Sequence, residues 1–166
     1  MYYINLFFLY SLFGFIMEST LFKIILSKKH SGIFYGPVTT VYGVGIIAIT
    51  LLNKYIFSKI KTNKIIKIVI EYLTMTLILT LIEYLGGNIL EYIFNITMWN
   101  YTKYKYHFGK YICLNNSLIW GLLGVLYLHI FKKFTDKLLK QINKSETIFF
   151  LSIFIFDLII TIITKT

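Results

Sequence analysis

The sequence predicts an all-α, polytopic membrane protein with about five transmembrane helices. Hydrophobic residues make up 57% of the 166 residues and charged residues only 14%, too few to cover a water-exposed surface. Apolar runs long enough to cross a bilayer, about 20 residues each, recur along the chain with short Lys-rich segments between them. A bilayer accepts an apolar protein exterior, so we expect a single transmembrane domain over residues 1–166.

Each apolar run is predicted to form one span. The spans cover, in order, residues 3–26, 41–57, 68–94, 112–131 and 147–163. The first run lacks the basic start and the small-residue cleavage site of a secretory signal, and it carries Glu18, so we expect it to remain in the mature protein.

The connection after the first span is unusual. Residues 31–40, here called the Gly/Pro segment, contain Gly36-Pro37, which cannot continue a helix without breaking it. Irregular backbone at membrane depth is tolerated only where protein or a wet cavity surrounds it. We therefore predict a re-entrant or irregular loop here.

The lysines indicate an orientation. All 17 basic residues are Lys, and they lie mostly between the apolar runs, as topology signals and headgroup contacts do. This placement argues against nucleic acid as the partner of the +10 charge and favours the lipid bilayer. With a cytoplasmic N-terminus, ten lysines fall inside and seven outside, so the N-terminus is predicted to be cytoplasmic.

Carboxylates inside the predicted spans include Glu18, Glu83, Glu91 and Asp157. A carboxylate at the bilayer centre costs about 2.5–3.5 kcal/mol on insertion scales, so it normally faces protein or water. Glu83 and Glu91 are two helical turns apart on one face of the third span, with Gly87 between them. Because Glu18 is predicted at a similar depth, we expect the three Glu residues to act as one unit that shares a proton or binds a cation. The alternative is that they are hydrogen-bonded packing residues.

The polar cavity predicted from these residues draws on several parts of the chain. Asn88 lies beside the Glu stripe, and Asn116 shares a helix face with Trp120 at the start of the fourth span. Residues 95–111, here called the aromatic loop, hold one Trp and four Tyr and are typical of a membrane-interface belt. The predicted substrate-binding residues are Glu18, Tyr42, Glu83, Asn88, Glu91, Trp99, Lys110 and Asn116. No catalytic residue or cofactor is predicted, and whether a metal binds is left open.

Three blocks of sequence carry a resemblance to a known family. The first, residues 8–18, ends YSLFGFIME and matches the family pattern YSxxGWxxE. The second, residues 31–45, reads SGIFYGPVTTVYGVG and matches RGFLxGPxxPIYGxG. The third, residues 83–121, contains WNY and GKYICLNNSLIWG, which match WDYS and GxICLxxSLxWG. In these blocks the chain resembles the bacterial type IV ABC-transporter permease family, also called CmpB-like.

The resemblance implies a small multi-pass component of a transporter in a bacterial cytoplasmic membrane. The chain departs from the family at four positions: Ser31 stands in place of Arg, Thr40 of Pro, Asn100 of Asp and His107 of Asn. Loss of the Arg weakens any expectation that an anion is bound as in relatives.

We therefore predict a membrane transport component, either a permease subunit or a carrier of small solutes or ions. The sequence contains no Gly-rich phosphate-binding loop, so an ATPase would have to be a separate subunit. Two alternatives remain open. One is a membrane-embedded enzyme acting on a lipid or lipid-linked substrate, which a metal held by Glu83 and Glu91 would favour. The other is a non-catalytic scaffold or oligomeric channel; a homo-oligomer is compatible with either reading.

Overall fold

The computed structural model describes residues 1–26 and 32–165, and the connection predicted at 27–31 lies outside the described residues. The elements are α1 (Tyr2–Leu26), α2 (Thr40–Tyr55), a 3-10 turn (Phe57–Lys59), α3 (Lys64–Phe94), β1 (His107–Phe108), β2 (Ile112–Cys113), α4 (Leu114–Leu126), a π-helical turn (Tyr127–Phe131), α5 (Lys132–Leu139) and α6 (Lys144–Lys165). The chain is thus mainly helical, with β1 and β2 forming one short antiparallel hairpin.

Among the described residues, four helical stretches are long and apolar enough to cross a membrane. They are Thr40–Lys59, Lys64–Phe94, Leu114–Leu139 and Lys144–Lys165. Helix α1 has 25 residues, which at the rise of an α-helix spans about 37 Å. The prediction of a multi-pass helical membrane protein is confirmed, and a crossing by α1 stays a prediction.

Two helices extend beyond their predicted ends toward the Lys-rich side. Helix α3 begins at Lys64 rather than 68, because the Asn63 side chain caps it by accepting a hydrogen bond from the Ile66 amide at 2.8 Å. Helix α4 passes through the π-helical turn into α5, so the basic segment predicted as a loop from 132 is helical to Leu139. Every fourth residue of α5 packs inward, since Thr135 and Leu139 are both buried.

The exterior of the bundle is apolar and its interior holds the carboxylates. Leu73, Leu77 and Phe156 are 60%, 69% and 67% exposed. Glu71, Glu83 and Asp157, by contrast, are only 2%, 5% and 9% exposed. A water-soluble domain has the opposite arrangement, whereas a bilayer favours this one because burial of a carboxylate in lipid is costly.

Glycines allow close contact between two pairs of helices, α1 with α2 and α3 with α4. On α2, a Cβ at Gly43 would lie 2.3 Å from Ser11 Oγ of α1. On α4, a Cβ at Gly121 would lie 2.0 Å from Thr76 Oγ1 of α3, and one at Gly124 would lie 2.5 Å from Met75 Sδ. Gly121 and Gly124 thus permit close packing of α4 on α3, in the manner usual for membrane helices.

The Gly/Pro segment, described from residue 32, is irregular and is fixed to α6 by Asp157. The two carboxylate oxygens of Asp157 accept hydrogen bonds from the backbone amides of Tyr35 (3.0 Å) and Gly36 (2.8 Å). Lys165 adds a bond to the Ile33 carbonyl. A Cβ at Gly36 would lie 2.9 Å from Asp157 Oδ2, so the approach needs glycine. The buried carboxylate therefore supplies acceptors to backbone groups that no regular structure pairs.

Replacement of Asp157 by Asn should loosen the Gly/Pro segment. The amide nitrogen would face a backbone N–H where an oxygen now accepts, so we expect the free energy of unfolding to fall by about 1–3 kcal/mol. Thermal unfolding in detergent micelles measures this change. Ser152→Ala on the same helix removes an exposed hydroxyl that bonds only to its own helix and should leave the midpoint unchanged. An Asp157→Asn midpoint equal to that of the parent would contradict the anchoring role.

Candidate functional site

The Glu83 carboxylate is a buried polar group at the end of the bundle that carries the aromatic loop. It projects from α3 and accepts a hydrogen bond on each oxygen, from the Tyr101 hydroxyl at 2.7 Å and from the Trp120 indole Nε1 at 3.0 Å. Tyr101 belongs to the aromatic loop and Trp120 to α4. The amide of Asn116, one turn before Trp120, lies beside the Tyr101 hydroxyl. A loop and two helices thus meet at one carboxylate.

A second carboxylate lies near the first. Glu18 of α1 lies beside the hydroxyl of Tyr42 on α2, and its charge acts on Glu83. The Tyr42 ring packs edge-on against Trp120, with ring centroids 5.4 Å apart. Gly14 makes room for that ring, because a Cβ there would lie 2.4 Å from it. The four helices α1 to α4 therefore each contribute to one polar cluster.

The stripe of Glu83, Gly87 and Glu91 on α3 is where the aromatic loop docks. Tyr101 bonds to Glu83, and the Tyr111 ring lies over Gly87, where a Cβ would come within 2.5 Å of it. Near the C-terminal end of α3, Glu91 pairs with Lys110 and accepts a hydrogen bond from the Tyr111 hydroxyl at 2.7 Å. Residues one helical turn apart on α3 (Glu83, Gly87 and Glu91) therefore each contact the aromatic loop.

Protonation states in the loop are fixed by these contacts. Burial and then the neighbouring Glu83 charge raise the pKa of Tyr101 well above its ordinary value, so its hydroxyl remains a donor at neutral pH. Hydrogen bonding to Glu91 raises the pKa of Lys110, which keeps the ammonium charged. Burial followed by the bond to Glu91 likewise raises the pKa of Tyr111.

A pocket of about 460 Å³ lies between the aromatic loop and the Gly/Pro segment. Its polar lining residues include Glu18, Thr39, Glu83, Trp99 and Tyr101. The remaining walls are mostly aliphatic and aromatic. They include Ile33, Phe34, Val38, Val41, Val44, Ile82, Leu85, Ile89, Leu90, Met98 and Trp120. A mostly apolar pocket with a few convergent polar groups is the usual form of a small-molecule site.

The structure brings together most, but not all, of the residues predicted to bind substrate. Glu18, Glu83 and Trp99 line the pocket, and Tyr42 and Asn116 contact its polar groups. Glu91 and Lys110 form a partly exposed ion pair at the C-terminal end of the aromatic loop. Asn88 is exposed and its amide bonds to the Tyr84 carbonyl of its own helix at 2.7 Å.

The expected single unit of three Glu residues is therefore divided. Glu91 lies two turns from Glu83, about 12 Å along the helix axis, and has its own partners in Lys110 and Tyr111. Glu18 and Glu83 remain close enough for the charge of one to act on the other. Within the described residues, no group of three His, Cys, Asp or Glu side chains could hold a metal ion.

Sequence reasoning missed a buried carboxylate nearer the Lys-rich end of the bundle. Glu71 is almost fully buried and bonds to His129 Nε2 at 2.7 Å, beside the π-helical turn of α4. It falls inside the predicted third span and could have been included with the other intramembrane carboxylates. At the same end, Asp136 accepts from the Tyr2 hydroxyl at 2.6 Å and pairs with Lys132.

The loop contacts differ in strength, and proteolysis can rank them. Tyr101→Phe removes a donor from a buried carboxylate, at a cost of about 1–3 kcal/mol. Lys110→Met removes a half-exposed ion pair that water screens, so its effect should be smaller. We expect trypsin to cleave after Lys103 and Lys105 faster in Tyr101→Phe than in Lys110→Met. The reverse order would show that the Lys110–Glu91 ion pair, and not the hydrogen bond to Glu83, holds the loop on α3.

One family model matches the chain. It is described as "Putative ABC-transporter type IV" and matches residues 5–164, which includes all of the pocket and both segments that cover it. No curated protein and no solved structure matches the chain. Since the family model covers nearly the whole sequence, the chain belongs to this ABC-transporter family.

Proposed function

We propose that the chain is a membrane transport component and that the pocket beside Glu18 and Glu83 receives its solute. The observation that carries the proposal is a pair of carboxylates, Glu18 and Glu83, that line a mostly apolar pocket of about 460 Å³ inside the bundle. Carboxylates buried at membrane depth are costly and usually mark a solute or ion path. Membership of a transporter family supports the same reading.

In this proposal the predicted site residues divide into two groups. Glu18, Tyr42, Glu83, Trp99 and Asn116 form or support the binding surface. Glu91 and Lys110 hold the aromatic loop over it, and Asn88, which points away, does not take part. Release of the loop would expose the pocket, since Tyr101 and Trp99 belong both to the loop and to the pocket wall.

The proposed arrangement is a single domain of five spans, with α1 as the first, in a bacterial cytoplasmic membrane. With the N-terminus in the cytoplasm, both the Gly/Pro segment and the aromatic loop lie at the outer face. The Gly/Pro segment would then be re-entrant, which fits its irregular backbone and its anchoring to Asp157 inside the bundle.

A separate ATPase subunit would bind at the opposite, Lys-rich end. Helix α5 gives this end an ordered surface where the sequence predicted only a loop. Phe134 is 62% exposed there, between the basic residues Lys133 and Lys137. An exposed aromatic side chain ringed by charge is typical of protein interfaces, in this case one that suits an acidic partner surface.

The pocket can be tested by thiol accessibility. In a Cys113→Ala background, Ile82→Cys should react with a small water-soluble methanethiosulfonate because its side chain lines the pocket. Leu77→Cys, on the outward face of the same helix, should remain unreactive because lipid excludes the reagent. Equal reactivity at both positions, or none at Ile82→Cys, would mean that this space is not a water-accessible pocket.

Orientation can be tested with the same background. Tyr104→Cys in the aromatic loop should be labelled in intact cells by a membrane-impermeant maleimide, and Lys61→Cys only after permeabilisation. Both positions are exposed in the structure, so access to each depends on its side of the membrane. The opposite labelling pattern would place the N-terminus outside.

A further inference from the structure

The carboxylic acids among the described lining residues of the pocket are Glu18 and Glu83, and no described lining residue is Lys or His. Of the described lysines near this end of the bundle, Lys110 is bonded to Glu91 and Lys165 to the carbonyl of the lining residue Ile33. Two carboxylates that repel each other in apolar surroundings favour a positive charge between them.

Aromatic rings surround the same space. Phe34, Trp99, Tyr101 and Trp120 all line the pocket. The faces of such rings attract ammonium groups, most strongly where water is excluded. The rings and the carboxylates therefore favour the same class of ligand through different interactions.

Two further polar groups lack partners, and this observation is independent of the carboxylates. Thr39 lines the pocket, is only 8% exposed, and its Oγ1 makes no hydrogen bond to any described residue. The buried Nε1 of Trp99 likewise has no acceptor among the described residues. A buried group without a partner is costly and points to a bound molecule that completes it. Trp99 can only donate, so the missing partner must carry an acceptor.

Resting on the proposed function, we propose that the solute is a small organic cation: an ammonium group attached to an apolar body that also carries a hydrogen-bond acceptor. The ammonium lies between Glu18 and Glu83 and over the aromatic rings, and the acceptor reaches Trp99 or Thr39. Each carboxylate oxygen has a second lone pair, so Glu83 can accept from the ligand while retaining Tyr101 and Trp120.

A bare metal ion fits this pocket less well. Such ions need several oxygen ligands converging at short distance, and the described residues offer no group of three candidate side chains. The aliphatic walls from Ile82, Leu85 and Leu90 suit a hydrocarbon body instead. Size and wall chemistry therefore select an organic cation over an inorganic one.

Tryptophan fluorescence can test the inference on the purified full chain without a label. The chain has two tryptophans, Trp99 and Trp120, and both line the pocket. The probe is 2-(4-methoxyphenyl)ethylammonium, which combines an ammonium group, an apolar ring and an ether oxygen that can accept a hydrogen bond. Its matched controls are 2-(4-methoxyphenyl)ethanol, which has the same ring and is neutral, and 4-methoxyphenylacetate, which is an anion. We expect a saturable change with the ammonium, a weaker one with the alcohol and none with the anion.

Two carboxylate variants give the matched comparison. Glu83→Gln keeps the shape and hydrogen-bonding capacity of the side chain and removes its charge, so the affinity for the ammonium should fall about tenfold or more. Glu18→Gln should act in the same direction and serves if Glu83→Gln does not fold. Glu146→Gln, an exposed carboxylate at the start of α6, should bind like the parent.

The possible results separate this inference from the pocket proposal. Equal binding of ammonium and alcohol, unaffected by either variant, would overturn the cation assignment and leave the pocket standing. No change with any probe would also overturn it, and the thiol reactivity of Ile82→Cys would still decide independently whether the pocket is open to water. Preference for 4-methoxyphenylacetate would overturn the proposal, because the bound ligand would then be an anion.

Discussion

The half of the structure that carries the aromatic loop depends on the need to pair one buried carboxylate. Glu83 lies in an apolar bundle, where an unpartnered charge would cost several kcal/mol. Its two donors come from parts of the chain that are distant in sequence, Tyr101 in the aromatic loop and Trp120 in α4. Pairing the carboxylate therefore fixes the loop on α3 and sets α4 in register beside it. The same contacts define one wall of the pocket.

Glycine determines whether these contacts can form. The Tyr111 ring reaches α3 only because Gly87 has no side chain, and Gly121 lets α4 approach Thr76 closely. Without the first, the loop could not follow α3 from Glu83 to Glu91. Without the second, α4 would move outward and carry Trp120 away from Glu83. Small residues thus act here through the polar contacts that they make possible, in addition to the packing they permit.

The sequence predicts the helices far better than the contacts between them. Run length and hydropathy locate the spans because the bilayer imposes a length on each one. The Glu83–Gly87–Glu91 stripe is predictable from the helical period, and the same period places Asn88, one residue farther, about 100° away from that face. The docking of the aromatic loop on this stripe could not be predicted. Tyr101, Tyr111 and Lys110 are ordinary interface residues by composition, and only the fold shows that they contact it.

Asp157 illustrates the same limit in another form. Its position in an apolar span indicates that it must be paired, but its partners are backbone amides of residues more than 120 positions earlier. Backbone groups carry no sequence signature, so a carboxylate that binds them looks alone in the sequence. The Gly36-Pro37 dipeptide predicts irregular backbone with unpaired amides. Asp157 offers hydrogen-bond acceptors, and the Gly/Pro segment has backbone donors that no regular structure pairs. The sequence does not show that these two sets of groups bind each other.

The two ends of the bundle are held by different forces. At the end that carries the aromatic loop, the pocket is covered by two irregular segments, each fixed mainly by hydrogen bonds to carboxylates. Toward the Lys-rich end the helices meet in a packed cluster that includes Leu6, Ile46, Met75 and Tyr127. Local polar contacts can open one at a time, whereas a close-packed core is bistable and moves as a unit. Opening of the pocket at the loop end therefore requires only rearrangement of a loop, whereas opening at the Lys-rich end requires the helices themselves to shift.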